Sequence, residues 1–420
     1  MIKKLQALIA KDQSLFLLSN IIFSGSTYLV MLLVPYFLNA DKMAELSSVY
    51  NALMILLFVF EFGISMSFLR FYQIKKITFL INSLSQMGIL LLLLLIVLAS
   101  FSSTFFHLLN LDDFAVDKAL FFLALAGQLS WIFAKNLLIS IKNYRVIAGL
   151  AMSIFALRIA GFFYLKNIDI LVIDEILLSM FIIPFALSFF FVITLNMQTI
   201  VKIQKEVLNL KLIKLFFVQL KHFGKFSIET YAIGMLYLLA GRYLIVFLSD
   251  TGNTEILADL GYAMTFLGII TIATTSFRTY FVAKFHLSDM KSINAHLGYY
   301  LGNIKKYSIA AIGISMLISL IIYLIKPAYL SANASIFAFI LLSSYSLIFF
   351  LSMITLLSKT MNYNFLELKI NAMRLIMVYA ICHLFFLKNP IFGFVLINLV
   401  MLLGELYFAS KILKRLNYVK

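Results

Sequence analysis

Arginine is the residue type in this sequence best placed to do chemistry, because it recurs inside apolar stretches long enough to cross a membrane. Arg70 closes the second such stretch within Ser67-Phe68-Leu69-Arg70-Phe71-Tyr72, and Arg278 closes the eighth within Ser276-Phe277-Arg278-Thr279-Tyr280. Arg158 and Arg242 lie deeper, and Arg374 follows Arg158 by 216 positions. A guanidinium keeps its charge when buried and holds a phosphate or carboxylate through two parallel N–H donors, so arginine in such a setting points to an anion. Three acids share the apolar surroundings: Glu61 near the middle of the second stretch, and Glu229 and Glu405 toward the inner ends of the seventh and twelfth. A carboxylate without a partner there tends to take up a proton, which makes these residues candidates for ion coupling. Ionisable groups inside a membrane cost roughly 2.5 to 3.5 kcal/mol on insertion scales, and each therefore counts first as a functional-site candidate. The competing reading is that all eight form structural ion pairs.

The elements that must position these residues are helices. With 63% hydrophobic and 12% charged residues and a mean hydropathy of +1.03, the chain is far more apolar than a soluble domain, whose apolar share is about 45 to 50%. Twelve stretches have the length of about 20 residues that a helix needs to cross the hydrocarbon. They run from 14 to 38, 48 to 70, 79 to 101, 118 to 140, 145 to 166, 175 to 197, 226 to 248, 257 to 281, 307 to 326, 334 to 357, 368 to 388 and 391 to 411. The expected fold is an all-α polytopic membrane protein with 12 transmembrane helices in two six-helix lobes, residues 1–197 and 226–420. Residues 198–225 join them as a basic amphipathic cytoplasmic linker carrying Lys202, Lys205, Lys211, Lys214, Lys221 and Lys225. Leu137, Leu138, Asn143 and Tyr144 return as Leu356, Leu357, Asn362 and Tyr363, all at an offset of 219. Six is an even number, so the lobes insert with the same orientation, related by a pseudo-two-fold axis along the membrane normal, and a binding site is expected between them.

Depth separates the arginines. At 1.5 Å per residue, Arg158 and Arg242 lie roughly 20 to 24 Å from the cytoplasmic ends of their spans, and Arg374 sits in the inner third of span eleven. Arg70, Arg278 and Lys135 lie within about a turn of cytoplasmic ends, where long side chains snorkel to the interface. Orientation follows from charge. Segments on the side of the N-terminus carry 24 Lys and Arg, against Lys42, Lys118, Lys166, Lys326 and Lys388 on the other. The positive-inside rule then places both termini in the cytoplasm. The net charge of +16 would suggest nucleic acid in a soluble protein; here it sets topology, and no nucleic-acid partner is expected. The first span follows Lys3, Lys4 and Lys11 but is too long for a signal segment and is followed by no cleavage site, so it reads as a retained helix.

Polar residues at helical spacing, Asn20, Ser24 and Thr27 in span one and Thr230, Tyr231, Gly234, Tyr237 and Gly241 in span seven, read more readily as packing devices than as ligand contacts. Pro35 and Pro184 should bend or loosen spans one and six. Cys382 is the single cysteine, which excludes an intramolecular disulfide. The five histidines are never paired at metal-ligand spacing, and neither a Gly-rich phosphate loop nor a nucleophile elbow is present. No metal, cofactor or catalytic role is expected: the chain reads as a transporter, not an enzyme. Five internal cations against three acids favour an anionic substrate.

With this architecture, the basic linker, and Glu61-Phe62-Gly63-Ile64-Ser65 followed by Arg70 in span two, the whole chain resembles the Wzx-type polysaccharide flippases. These belong to the MOP superfamily, which also includes MurJ and the MATE exporters. The resemblance implies movement of an undecaprenyl-pyrophosphate-linked oligosaccharide repeat unit from the cytoplasmic to the outer leaflet of a bacterial inner membrane. Such a unit serves O-antigen, hence lipopolysaccharide, or capsule, and crosses by alternating access through a cationic cavity. Arg158, Arg242 and Arg374, with Arg278 and Arg70, would then meet the pyrophosphate. Glu61, Glu405 or Glu229 would couple an ion, and Tyr28, Tyr231 and Tyr237 would stack on sugar. Implied partners are the lipid-linked oligosaccharide, membrane lipids, and a polysaccharide polymerase or chain-length regulator. Two alternatives stand beside it. A MATE-like ion-coupled small-molecule exporter should have a net acidic lumen, and a membrane glycosyltransferase or polysaccharide polymerase should have a large outer loop, whereas the longest here is 102 to 117.

Overall fold

Asparagine, aspartate and proline set several helix starts. The Asn39 carboxamide accepts the Lys42 amide at 2.9 Å, Asp117 accepts the amides of Ala119 and Leu120 at 2.7 and 3.1 Å, and Asn389 accepts that of Phe392 at 3.1 Å. Each side chain thereby fills a donor that the first turn leaves without a partner. Pro390 follows Asn389 at a position where its missing N–H costs nothing.

The computed structural model describes residues 12–61, 96, 100–112, 114, 116–140, 144–167, 172–195, 210–285, 290–355 and 364–415; through 211–228 and 271–296 it is chiefly the backbone that is described. All regular structure among these residues is helical. Helix α1 (Asp12–Leu33) passes into a tight 3-10 turn (Val34–Phe37) led by Pro35. Helices α2 (Ala40–Glu61), α3 (Lys118–Ser140) and α4 (Tyr144–Asn167) follow. Helix α5 runs Ile173–Leu177, opens into a π turn at Leu178–Ile182 and continues as Ile183–Leu195. Then come α6 (Leu210–Asp250), α7 (Thr254–Phe285), α8 (Met290–Ile325) and α9 (Asn333–Thr355). Helix α10 runs Asn364–Ile381 and closes in a second π turn, Cys382–Phe386, before α11 (Pro390–Arg415).

Nine helices among the described residues are long and apolar enough to cross a membrane. This is a multi-pass membrane protein. The expected spans 118 to 140 and 257 to 281 are helical too, within α3 and α7, while 79 to 101 lies largely outside the described residues. Helix α6 has 41 residues, about 62 Å at 1.5 Å per residue, twice the hydrocarbon thickness. The later part of the basic linker therefore continues without a break into span seven. Helix α2 begins at Ala40, ahead of the expected 48; its first turns carry Asp41, Lys42 and Glu45, which lower the local hydropathy. Glu45 is buried and paired with Lys42 at 2.7 Å.

The chain divides into two compact units, Met1–Val30 with Val49–Met235, and Met31–Ser48 with Leu236–Lys420. In the first, α5 packs against α3 and α4, around a core that includes Phe121, Leu125, Leu129, Ile154 and Phe185. In the second, α9 is the central helix, packed along α7, α8 and α11, with α10 against α11. Leu297, Ile354, Ile370, Phe408 and Ile412 form one core cluster there. The hairpin Met31–Ser48 is held in this second unit by polar contacts. Tyr329 donates to the Pro35 carbonyl at 2.9 Å, the hydroxyls of Tyr36 and Tyr262 meet at 3.2 Å, and those of Ser48 and Ser249 at 2.6 Å.

Candidate functional site

In the first unit the candidate chemistry gathers on Arg158. Ile147, Leu150, Ala151, Ile154, Arg158, Phe162 and Leu165 form the buried face of α4, so helical periodicity carries the arginine into the packed interior, where it is 1% exposed. Its Nε donates to the Met180 carbonyl of α5 at 2.9 Å. Its Nη1 reaches α1, at the Ser26 hydroxyl (2.6 Å), the Thr27 hydroxyl (2.7 Å) and the Phe23 carbonyl (3.2 Å). The rings of Phe23, Phe185 and Phe181 lie 4.9, 5.0 and 5.8 Å from the guanidinium carbon. A desolvated cation over an aromatic face gains about 2 kcal/mol, and charged hydrogen bonds contribute about 1.5 to 3 kcal/mol each. Both are needed, since burying a guanidinium costs several kcal/mol.

No carboxylate among the described residues pairs with Arg158, and its Nη2 has no hydrogen-bond partner among them. Trp131, stacked on Phe23 at 5.0 Å, and Gln128, one helical turn before it on α3, are buried with Nε1 and Nε2 likewise lacking an acceptor. Among the described residues, the first unit thus holds a buried arginine with no acid paired to it, beside two buried donors, Gln128 Nε2 and Trp131 Nε1, that lack an acceptor.

The second unit treats its arginine differently. Arg374 on α10, 4% exposed, bonds the Asn371 carboxamide (2.7 Å) and, on α11, the Met401 carbonyl (2.8 Å) and Glu405 (3.0 Å). The other Glu405 oxygen accepts from Thr355 at 2.6 Å. Two residues given separate expected roles, Arg374 for the substrate and Glu405 for ion coupling, are therefore one buried ion pair. Tyr237 of α6 lies under the guanidinium at 5.5 Å. Tyr345 on α9 is within electrostatic reach of both Arg374 and Arg242. It helps to line a small cavity with Gly241, Asn398 and Met401, roomy enough for a water.

The other expected site residues are placed less fully. Arg242 and Glu229 are half-buried on α6. Arg278 lies on the backbone of α7 with its side chain outside the described residues, as is that of Glu61 at the end of α2; Arg70 lies outside them altogether. Of the expected sugar-facing aromatics, Tyr231 stacks on Phe58 at 5.7 Å, while Tyr237 serves Arg374. Sequence reasoning picked out Thr27 and Pro184 but missed Ser26, Asn371, Thr355 and Tyr345. None of these carries a charge or a spacing that marks it off from ordinary membrane-helix packing.

No family model matches the sequence, and neither does any curated protein. The fold does have solved counterparts. A structure described as lipid II flippase MurJ in an inward closed conformation is similar over 93% of this chain and 87% of its own, at a TM-score of 0.64 and 18% identity. The Vibrio cholerae MATE transporter VcmN is similar over 98% of each chain, at 0.58 and 14%. A MOP superfamily transporter from Pyrococcus furiosus, whose binding pocket is described as reversed in polarity, is similar over 98% of this chain and 97% of its own, at 0.52 and 14%. The chain shares the helical fold of these MOP-superfamily proteins.

Proposed function

We propose that the protein is a flippase that carries an undecaprenyl-pyrophosphate-linked oligosaccharide repeat unit from the cytoplasmic to the outer leaflet of a bacterial inner membrane by alternating access. The observation that carries the reading is the fold shared with a lipid II flippase over 93% of this chain. Charge supports the anionic part: Arg158 is buried without an acid among the described residues, and Arg242 and Arg374 both lie within electrostatic reach of Tyr345. A pyrophosphate offers many acceptors to such donors. Arg374, already neutralised by Glu405, contributes less to this field than Arg158 or Arg242. Arg70 and Arg278 would serve the entry side, at cytoplasmic ends. Glu61 is the preferred ion-coupling residue, since Glu405 is occupied by Arg374 and Thr355. The basic excess on the side of both termini supports their placement in the cytoplasm.

A MATE-like exporter of small molecules is the second reading, favoured by the likeness to VcmN over 98% of each chain. A buried arginine with no acid paired to it among the described residues suits a cationic drug poorly, which ranks it second.

Loss of the gene distinguishes the two. Without the protein, complete lipid-linked repeat units should accumulate in the inner leaflet, and Arg242→Ala should reproduce the defect more fully than Arg242→Lys, which keeps the charge but not the fork. Normal outer-leaflet levels of the repeat unit, together with greater drug sensitivity, would reverse the ranking.

A further inference from the structure

Proline 184 deprives α5 of a hydrogen bond, and Arg158 donates to the carbonyl that the missing amide would serve. In an α-helix the amide of residue 184 donates to the carbonyl of residue 180. Proline has no N–H, and its ring crowds that carbonyl. Helix α5 has opened at this place into the π turn Leu178–Ile182, where the Ile183 amide reaches back to the Leu178 carbonyl. The Met180 carbonyl, in the middle of the turn, accepts from Arg158 Nε at 2.9 Å in a buried setting. The guanidinium's other arm is fixed to α1 by Ser26, Thr27 and the Phe23 carbonyl.

The neighbouring helices are shaped to this break. Gly161, just under one turn beyond Arg158 on α4, lets Ser179 approach so closely that an added Cβ would lie 3.0 Å from the serine Cβ. Gly127 on α3 faces the Phe181 carbonyl, which an added Cβ would meet at 2.6 Å. Two glycines and an arginine thus surround a turn that a regular helix would not present.

We infer that Arg158 is a positioning residue: it replaces the amide that Pro184 lacks and pins α1 to the π turn of α5, so that these helices keep one geometry. This role belongs to Nε and Nη1 and goes beyond the charge that the guanidinium offers a substrate. Arginine suits it because its planar fork projects donors toward two helices at once, whereas lysine has a single ammonium head. Arg374 gives an internal comparison. It also donates to a methionine carbonyl, that of Met401, but Glu405 and not proline stands four residues on.

A double-mutant cycle tests the inference without any transport assay. Arg158→Gln should lower the melting temperature of the purified full-length protein, and adding Pro184→Ala, which returns an amide donor to the Met180 carbonyl, should restore at least half of that loss. Pro184→Ala alone should shift the melting temperature much less, and combined with Arg374→Gln it should restore nothing. Hydrogen exchange should show the new amide at position 184 protected in the Arg158→Gln background. Should Arg158→Gln give no folded protein, Arg158→Lys replaces it, and recovery of folded protein on adding Pro184→Ala becomes the readout. Equal shifts by Pro184→Ala in all backgrounds, or no recovery in either Arg158 background, would overturn the inference. Failure of the flippase reading would leave this cycle unaffected.

Discussion

Glycine 404 gives Arg374 its place. A Cβ added there would collide with Nε and lie 2.9 and 3.0 Å from the guanidinium carbon and Nη2, and in a helix the arginine cannot back away without leaving Met401 and Glu405. Gly404→Ala should therefore destabilise the protein by about 1 to 3 kcal/mol, the usual range for overpacking. Glu405→Ala should cost more, about 3 to 5 kcal/mol, because it leaves a guanidinium buried without its counter-charge. Thermal unfolding in detergent checks both, and a Gly404→Ala protein as stable as the parent would show that the guanidinium has another resting place. Both charged residues were legible in the sequence as intramembrane ions. Their pairing across 31 positions was not, since hydropathy says how deep a residue lies and not which faces of two helices meet. Gly404 looked like any small residue in a membrane helix.

Helices with uniform apolar runs were the most legible elements: the expected spans 145 to 166, 334 to 357 and 391 to 411 stand against Tyr144–Asn167, Asn333–Thr355 and Pro390–Arg415. Where charge and burial coincide, as at Lys42 and Glu45, the start of α2 was hidden, because hydropathy counts a paired buried carboxylate as solvent-exposed. Pro184 signalled a break in span six, but the π turn and its arginine donor depend on neighbours that one helix's sequence does not contain. Two glycines, alike in sequence, separate this tertiary demand from plain propensity. Gly127→Ala presses against the Phe181 carbonyl, whereas Ala at Gly149 of α4 would meet nothing within 4 Å. Gly127→Ala should lower stability by about 1 to 3 kcal/mol, and Gly149→Ala should raise it by up to about 1 kcal/mol through helix propensity. Melting curves of the two variants, measured side by side, check this, and shifts of the same sign would remove the packing argument for the π turn.

For the whole molecule, orientation is the expectation that the sequence states most openly. With the twelve expected spans, the Lys and Arg residues behind the net charge of +16 gather in segments on one side, and cytoplasmic retention of Lys and Arg would then set how each hairpin inserts. On that basis Asp250, exposed at the end of α6, and Asp112, exposed ahead of α3, should lie on the outer side, and positions 211 and 291 on the cytoplasmic side. The chain suits a labelling test, because its single cysteine, Cys382, is buried and should react slowly beside an exposed thiol. Single cysteines at 112 and 250 should react with a membrane-impermeant maleimide added to intact cells, and those at 211 and 291 only after the membrane is opened. Position 211 is the decisive one. It lies early in the 41-residue helix α6, whose other end is Asp250; at about 62 Å the helix is too long for both ends to stay on one side of a 30 Å hydrocarbon layer if its apolar part spans it. Reaction from outside at 211 would therefore invert α6 and, with it, the direction of transport proposed above.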